Sequence, residues 1–196
     1  MFSRFINFFL SLIALVFLAP LMLIISIFII LSSGFPIFFL QRRLGLNMKE
    51  FKIIKFRTML NKSEFLNQGL VTVKGDTRIT PIGRILREYS LDELPQLLNV
   101  LIGDMNLIGP RPPVYYELGD KSKFDDQVIN RFTIKPGITG LSQVQGRNEL
   151  SWKDKIRYDN FYIDHINKKK YGIVLLIIYK TLMVLICKKG AYEIIK

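Results

Sequence analysis

Two adjacent carboxylates, Asp92 and Glu93, are the residues of this sequence best suited to do chemistry. Neighbouring side chains on a helix point about 100° apart, so the two groups are predicted to divide labour rather than share one proton. The positive end of a helix dipole favours ionised carboxylates and also attracts phosphate. Beside a phosphate, such a pair suits a nucleophile and a ligand of Mg²⁺, which prefers one or two carboxylates together with substrate oxygens.

Several basic residues could bring a phosphate to this pair. Arg111 lies in a proline-rich loop, and prolines fix the backbone, so less entropy is lost when the guanidinium group holds an anion. Lys55 and Arg57 are predicted on one face of an extended segment, where arginine binds phosphate as a bidentate fork and lysine as a point charge. Arg87, one turn before the carboxylates, is either a phosphate clamp or their salt-bridge partner.

Structural roles compete with these assignments. Ser90 and Glu93 fit a capping box, in which Glu93 only caps the helix that follows. Pro95 restricts that interpretation, because its missing N–H is harmless only in the first turn of a helix. The segment with Lys55 is equally consistent with a solvated edge strand, and the Arg111 loop with a rigid structural turn.

Weaker candidates follow further along the chain. Gln145 and Arg147 belong to a polar loop that could contact a nucleotide, and Asp159 is either a third acidic metal ligand or a surface charge. The single histidine, His165, and the single cysteine, Cys187, exclude a zinc site built from these two residue types and a disulfide framework. The sequence also lacks a P-loop, a dinucleotide-binding glycine motif and an Asp-x-Asp motif.

The distribution of charge divides the chain into two parts. Its 196 residues carry a formal net charge of +12, yet Arg4 is the only charged residue before Arg42. Such a basic part attracts nucleic acid, anionic lipid headgroups or phosphorylated small molecules. We therefore expect a membrane element over residues 1–40 and a catalytic domain over residues 41–196.

The membrane element is a long apolar run from Phe5 to Leu31. A straight helix of that length is roughly 40 Å long, enough to cross a hydrocarbon core of about 30 Å. Pro20, near its middle, removes a backbone donor, so a kink could instead return both ends to one side. Basic residues just beyond the run place the following domain on the cytoplasmic face in either case.

The remainder is predicted to be mainly α with little β, as one membrane-associated domain. Residues 51–57 alternate like a strand, and Thr80 caps a helix over residues 81–88. Further helices are predicted from about Ser90 to Ile102 and from Trp152 to Asn167. The apolar run Tyr171–Cys187 is expected to lie in the membrane interface or on the domain core rather than to span a bilayer.

Many spaced motifs resemble the bacterial sugar transferases, the monotopic polyprenyl-phosphate phosphoglycosyl transferases. The resemblance covers nearly the whole chain, at the size of the minimal members of that family. The matching segments are Lys55-Phe56-Arg57-Thr58-Met59, Asp76-Thr77-Arg78-Ile79-Thr80, Gly83-Arg84, Arg87, Ser90-Leu91-Asp92-Glu93-Leu94-Pro95-Gln96, Asn99-Val100-Leu101, Gly103-Asp104-Met105, Gly109-Pro110-Arg111-Pro112, Lys135-Pro136-Gly137-Ile138-Thr139-Gly140, Gln143-Val144 and Gly146-Arg147.

The resemblance implies a specific reaction. Members of the family move a sugar 1-phosphate from a UDP-sugar to undecaprenyl phosphate and release UMP, with Mg²⁺ and a covalent sugar-phosphate intermediate on an aspartate. By this resemblance Asp92 is the nucleophile and Glu93 the magnesium ligand, while Lys55, Arg57, Arg87 and Arg111 match basic positions around the phosphates. Such a step initiates the synthesis of surface polysaccharides or glycoconjugates.

The resemblance also implies a location and a set of partners. The family's N-terminal helix re-enters at a Ser-Pro pair and leaves on the cytoplasmic face of the inner membrane; this chain has Ala19-Pro20 there. The expected partners are a UDP-sugar, undecaprenyl phosphate and the membrane, with no nucleic acid and a homo-oligomer left open. The competing hypothesis is a non-catalytic, membrane-tethered basic module that binds anionic lipid or nucleic acid, which leaves the carboxylate pair unexplained.

Overall fold

The structure is a computed structural model that describes residues 4–60, 76–146 and 149–187. Helices dominate it, as the sequence predicts, and strands are few and short. The helices are α1 Arg4–Ser33, α2 Pro81–Glu88, α3 Gln96–Ile102, α4 Asp126–Asn130, α5 Leu141–Gln145, α6 Trp152–Asn167 and α7 Gly172–Cys187. The strands are β1 Phe38–Leu44, β2 Glu50–Phe56, β3 Asn106–Ile108 and β4 Gly137–Thr139.

Helix α1 is long and apolar enough to cross a membrane. It spans 30 residues, its most apolar window has a mean hydropathy of 3.1, and only 11% of that window is buried within the protein. The helix is continuous through Pro20. Its inward face packs Ile25 and Ile29 against Phe56 and Leu86 of the domain. An apolar helix with so little of its surface covered by protein is suited to contact with lipid.

Both ends of α1 are bonded to the folded domain. Near the start, Arg4 donates to the main-chain oxygens of Val100 and Leu101 at the end of α3. One turn later the Asn7 side-chain oxygen accepts the Leu107 amide at 2.8 Å. The other end is held by Arg57, described below. The membrane helix and the domain therefore form one packed body rather than two parts joined by a linker.

The first sheet is an antiparallel hairpin of β1 and β2, in which Lys55 pairs with Phe39 and Phe51 with Arg43. Buried Asn99 ties α3 to this hairpin, because its side chain accepts the Ile54 amide at 3.0 Å and donates to the Lys52 carbonyl at 2.8 Å. The second sheet is a short parallel pair of β3 and β4. The predicted strand over residues 51–57 is confirmed as β2.

Local signals account for the bounds of several helices. The Thr80 hydroxyl accepts the Gly83 amide at 3.0 Å, and Pro81 occupies the first turn of α2, as predicted. Helix α3 ends at Gly103, whose φ of 107° suits glycine. The single helix predicted over residues 90–102 is confirmed only as α3, Gln96–Ile102, and its first part is wrong, because a separate turn of 3₁₀ helix over Leu91–Glu93 precedes α3.

Helix α7 packs one side on the domain core. Ile173, Val174 and Ile177 are buried against a cluster that includes Ile163 of α6 and Leu141 of α5. The opposite side of α7 is apolar and exposed. The structure thus supports packing on the core, and a position of this helix in the membrane interface stays a prediction.

Candidate active site

Glu93 is the centre of a charged cluster. Its Oε1 atom lies 2.8 Å from Lys55 Nζ and 3.1 Å from Arg111 Nη2. The Glu93 and Lys55 side chains are only 12% and 14% exposed, and that of Arg111 is 31% exposed. Lys55 comes from β2, Arg111 from the loop after β3, and Glu93 from the turn before α3. Three distant segments of the sequence therefore meet at one carboxylate oxygen.

The backbone at Ser90 sets the direction of the two carboxylates. Ser90 has φ 56° and ψ 21°, the left-handed conformation, which reverses the chain between α2 and the 3₁₀ turn. The Ser90 side chain makes no cap bond to that turn. Because the Ser90 cap bond is absent and the Glu93 carboxylate contacts Lys55 and Arg111, the interpretation in which Glu93 only caps a helix is wrong. A three-residue turn also carries no helix dipole comparable to that of a full helix, so the dipole effect expected from a helix start at Asp92 is weak.

Burial and the neighbouring charges shift the pKa values at the site. Burial raises the pKa of Asp92, Lys55 opposes this shift, and the adjacent Glu93 charge adds to it. Burial lowers the pKa of Lys55, and Glu93 acts in the opposite direction. The Glu93 charge is also the main cause of the raised pKa of Arg111. The Glu93 charge thus opposes the effect of burial on Lys55 and favours the charged form of Arg111 beside Asp92.

The other predicted site residues lie at different places. Arg57 is 5% exposed, and its Nη2 donates to the Ser33 carbonyl at 2.8 Å and to the Gly34 carbonyl at 2.6 Å, at the end of α1. Arg87 Nε donates to the Thr58 hydroxyl at 2.8 Å. Arg87 also stabilises the ionised form of Asp92 and so lowers its pKa, without a salt bridge to it among the described residues.

Two further candidates are not brought to the cluster. The Gln145 side-chain oxygen accepts Lys180 Nζ at 2.9 Å, which ties the end of α5 to α7. Asp159 is 1% exposed and pairs with Arg131 at 2.8 Å, so it is neither a surface charge nor a member of the carboxylate pair. Arg147 lies outside the described residues, and the proposed contact of this loop with a nucleotide stays a prediction.

Sequence reasoning missed two arginines next to the site. Arg43 lies on the face of the hairpin that carries Lys55, and its Nη1 donates to the Pro112 carbonyl at 2.9 Å. Burial, and to a smaller extent the charge of Arg111, lower the pKa of Arg43 to about 10. A predicted pairing of β1 with β2 would have revealed this residue, because directly opposed residues share a face. No local signal marked Arg131.

The chain belongs to the bacterial sugar transferase family, whose sequence model matches residues 1–188. It is 34% identical to the exopolysaccharide production protein ExoY of Rhizobium meliloti, over 92% of this chain and 83% of that protein. It is 40% identical to the UDP-glucose:undecaprenyl-phosphate glucose-1-phosphate transferase of Xanthomonas campestris, over 93% of this chain and 38% of that protein. It is 37% identical to the undecaprenyl-phosphate galactose phosphotransferase of Salmonella typhimurium, over 93% of this chain and 40% of that protein. The protein is therefore an enzyme of this class, and the hypothesis of a non-catalytic module is not favoured.

Proposed function

We propose that this protein transfers a sugar 1-phosphate from a UDP-sugar to undecaprenyl phosphate and releases UMP, at the start of exopolysaccharide or glycoconjugate synthesis. The observation that carries the proposal is the meeting of Lys55 and Arg111 at Glu93, directly beside the partly buried Asp92. The relatives from Xanthomonas and Salmonella, of whose length this chain spans 38% and 40%, are named as sugar-phosphate transferases that act on undecaprenyl phosphate. The activities in these names agree with the site, because a carboxylate next to two cations can act on a phosphate group.

The proposed reaction has two displacements at one phosphorus atom. An ionised Asp92 oxygen attacks the phosphorus bonded to the sugar, the P–O bond to UMP breaks, and UMP leaves with that bonding pair. A phosphate oxygen of the acceptor lipid then attacks the same phosphorus, and the bond to Asp92 breaks. Because the reaction proceeds in two steps through Asp92, the two bulky anions, UDP-sugar and undecaprenyl phosphate, need not react with each other directly. Arg111 and Lys55 offset the repulsion between the carboxylate and the diphosphate.

The carboxylate pair also fits a magnesium ion. Mg²⁺ prefers one or two carboxylates together with substrate phosphate oxygens and water. In the described ranges no three acidic, histidine or cysteine side chains form a ligand group, so Glu93 and Asp92 would be the protein's contribution. When bound, the ion would neutralise charge on the diphosphate and on the departing UMP. Lys55 and Arg111 hold Glu93 in place for this task.

The packing of α1 supports a re-entrant arrangement. A straight helix of 30 residues is about 45 Å long, so a perpendicular crossing would separate its ends by more than a hydrocarbon core of about 30 Å. Yet its first turn is bonded to α3 and its last residues to Arg57, both in the same domain. We infer that both ends lie on the cytoplasmic side, with Pro20 near the deepest point. The active site would then face lipid headgroups of the inner leaflet.

Labelling tests this arrangement. In a Cys187→Ser background, a cysteine introduced at Ser3 should resist an impermeant thiol reagent in intact cells and react after the membrane is opened. A cysteine introduced at Lys168, on the domain, is the matched control. If the cysteine at position 3 reacted in intact cells while the control stayed protected, α1 would cross the bilayer and the re-entrant proposal would fail.

Turnover tests the reaction. The full-length protein in nanodiscs is incubated with Mg²⁺, undecaprenyl phosphate and a panel of UDP-sugars, and UMP release is measured. We expect Asp92→Asn to lower the rate by at least about a thousandfold, because the nucleophile is lost. The exposed Asp126→Asn serves as the control and should keep the full rate. Wild-type protein that releases no UMP with any donor, or an active Asp92→Asn variant, would refute the proposal.

A further inference from the structure

The loop that carries Arg111 is held through four consecutive main-chain oxygens. Proline has no N–H, so a loop with three prolines is held mainly by hydrogen bonds to its carbonyl groups. Each of the four carbonyls accepts a hydrogen bond from a different residue. The pairs are Pro110 with the Gly137 amide at 3.0 Å, Arg111 with Arg131 Nη2 at 2.8 Å, Pro112 with Arg43 Nη1 at 2.9 Å and Pro113 with the Leu44 amide at 3.0 Å.

The hydrogen bond from Arg131 to the Arg111 carbonyl differs from the other three, because its donor is held by a buried ion pair and an aromatic ring. The same Nη2 atom that donates to the Arg111 carbonyl also lies 2.8 Å from Asp159 Oδ2. Both side chains of this ion pair are 1% exposed. Ser142 donates to the other Asp159 oxygen at 2.9 Å, and the Arg131 guanidinium group lies 5.1 Å from the centre of the Trp152 ring. Residues from α5 and α6 thus fix an arginine that binds the loop.

Stability alone is a weak explanation for such a pair. Two buried charges lose their hydration, and an apolar pair of similar size is often as stable or more stable. An apolar pair, however, cannot donate to the Arg111 carbonyl. Because the Arg111 guanidinium group reaches Glu93 at 3.1 Å, a shift of its backbone would move it away from the carboxylates.

We propose that Arg131, oriented by Asp159, is a positioning residue that fixes the backbone of Arg111 and thereby aims its guanidinium group at the active site. This role rests on the proposed function, and Arg131 acts only through Arg111. A displacement of about 1 Å at a reacting centre can lower a rate by about a hundredfold. The loss should therefore fall mainly on kcat, with KM for the UDP-sugar changed less than about threefold, because the donor's other contacts remain.

The test is a variant that removes the donor without leaving an unpaired buried charge. Arg131→Met combined with Asp159→Leu should melt near the wild-type temperature. We expect its kcat to fall by about a hundredfold. Backbone amide exchange at Leu44 and Gly137, the two amides bonded to the loop, should quicken by about tenfold or more. The matched control is Lys168→Gln with Asp164→Asn, an exposed ion pair at the C-terminal end of α6, which should change neither kcat nor amide exchange.

A double-mutant cycle adds a second measurement. In an Arg111→Ala background, the Arg131 and Asp159 substitutions should cause no further loss of kcat, because their effect passes through Arg111. A full additional loss of kcat, or unchanged amide exchange at Leu44 and Gly137 in the double variant, would overturn the proposal. Faster exchange with full turnover would overturn it as well. If wild-type protein released no UMP but the loop still loosened in the variant, the proposed function would fail while the fixation of the Arg111 loop would stand.

Discussion

Replacing Arg57 with methionine tests whether this residue stabilises the end of α1, as its contacts indicate, or binds phosphate, as the sequence predicts. In the structure the Nη2 atom shares its two N–H groups among three oxygens: the Ser33 carbonyl at 2.8 Å, the Ser33 hydroxyl at 2.7 Å and the Gly34 carbonyl at 2.6 Å. Hydrogen bonds from a charged group contribute about 1.5–3 kcal/mol each. Burial lowers the pKa of Arg57, which means that desolvation of its charge offsets part of this gain. We expect Arg57→Met to lower the free energy of unfolding by about 3 kcal/mol.

The assay compares stability with ligand binding. Thermal unfolding in detergent gives the stability of each variant, and calorimetric titration with UDP and Mg²⁺ gives the affinity for the diphosphate. Arg57→Met should melt well below wild type while its Kd for UDP stays within about threefold. Lys55→Met is the matched comparison, two residues earlier. It should weaken UDP binding by about tenfold or more, because it removes a cation 2.8 Å from Glu93.

One result would refute this reasoning. If Arg57→Met melted at the wild-type temperature and lost UDP binding as severely as Lys55→Met, the contacts with α1 would be incidental. Arg57 would then be a phosphate ligand, as the sequence predicts. Arg57→Lys refines the outcome, because a lysine keeps the charge and can donate to one or two of the same oxygens. It should recover part of the lost stability if the α1 contacts are the main role.

Two further predictions concern the segment that supports α2. The Arg78 side chain holds the pKa of Asp76 below its ordinary value, so this stabilisation is complete above that ordinary value and is lost as the pH falls through the folded-state pKa. Asp76→Asn should therefore lower the melting temperature at pH 7 and make it decrease less steeply than that of wild type below about pH 4. Melting temperatures of variant and wild type that decrease in parallel with falling pH would contradict this prediction. Gly83→Ala would place a Cβ 2.1 Å from the Thr58 carbonyl oxygen and should lower the free energy of unfolding by about 3 kcal/mol. The control is Gly172→Ala, whose Cβ would meet open space and which should melt like wild type. Equal melting temperatures of the two variants would contradict the close packing at Gly83.

Some of the fold could be predicted because its signals are local. The Thr80 cap followed by Pro81 determines where α2 begins, and Gly103 determines where α3 ends. The bounds of α6, Trp152–Asn167, follow from a cap at Ser151 and an amphipathic pattern, and the structure has the same bounds as the prediction. Each of these signals lies within a few residues of the feature that it sets.

Other features depend on residues far apart in the sequence. The left-handed conformation of Ser90 has no signal of the kind that glycine provides, so the helix predicted there was too long. The Arg131–Asp159 pair joins residues 28 positions apart, and neither has a neighbouring motif. Asp159 was accordingly predicted as a metal ligand or a surface charge, although burial raises its pKa and Arg131 and Ser142 bind it. Only tertiary packing shows such partners.

The hairpin strand β2 couples the membrane helix to the site. Lys55 on this strand contacts Glu93, and Arg57 just past its end contacts the last residues of α1. At the other end of α1, Arg4 is bonded to α3, whose Asn99 is bonded to β2. The distance from the carboxylates to each end of α1 is therefore set by short, hydrogen-bonded elements rather than by flexible loops. Because the proposed acceptor phosphate cannot leave the membrane surface, a nucleophile at a fixed depth relative to α1 can meet that phosphate without a large movement of the domain.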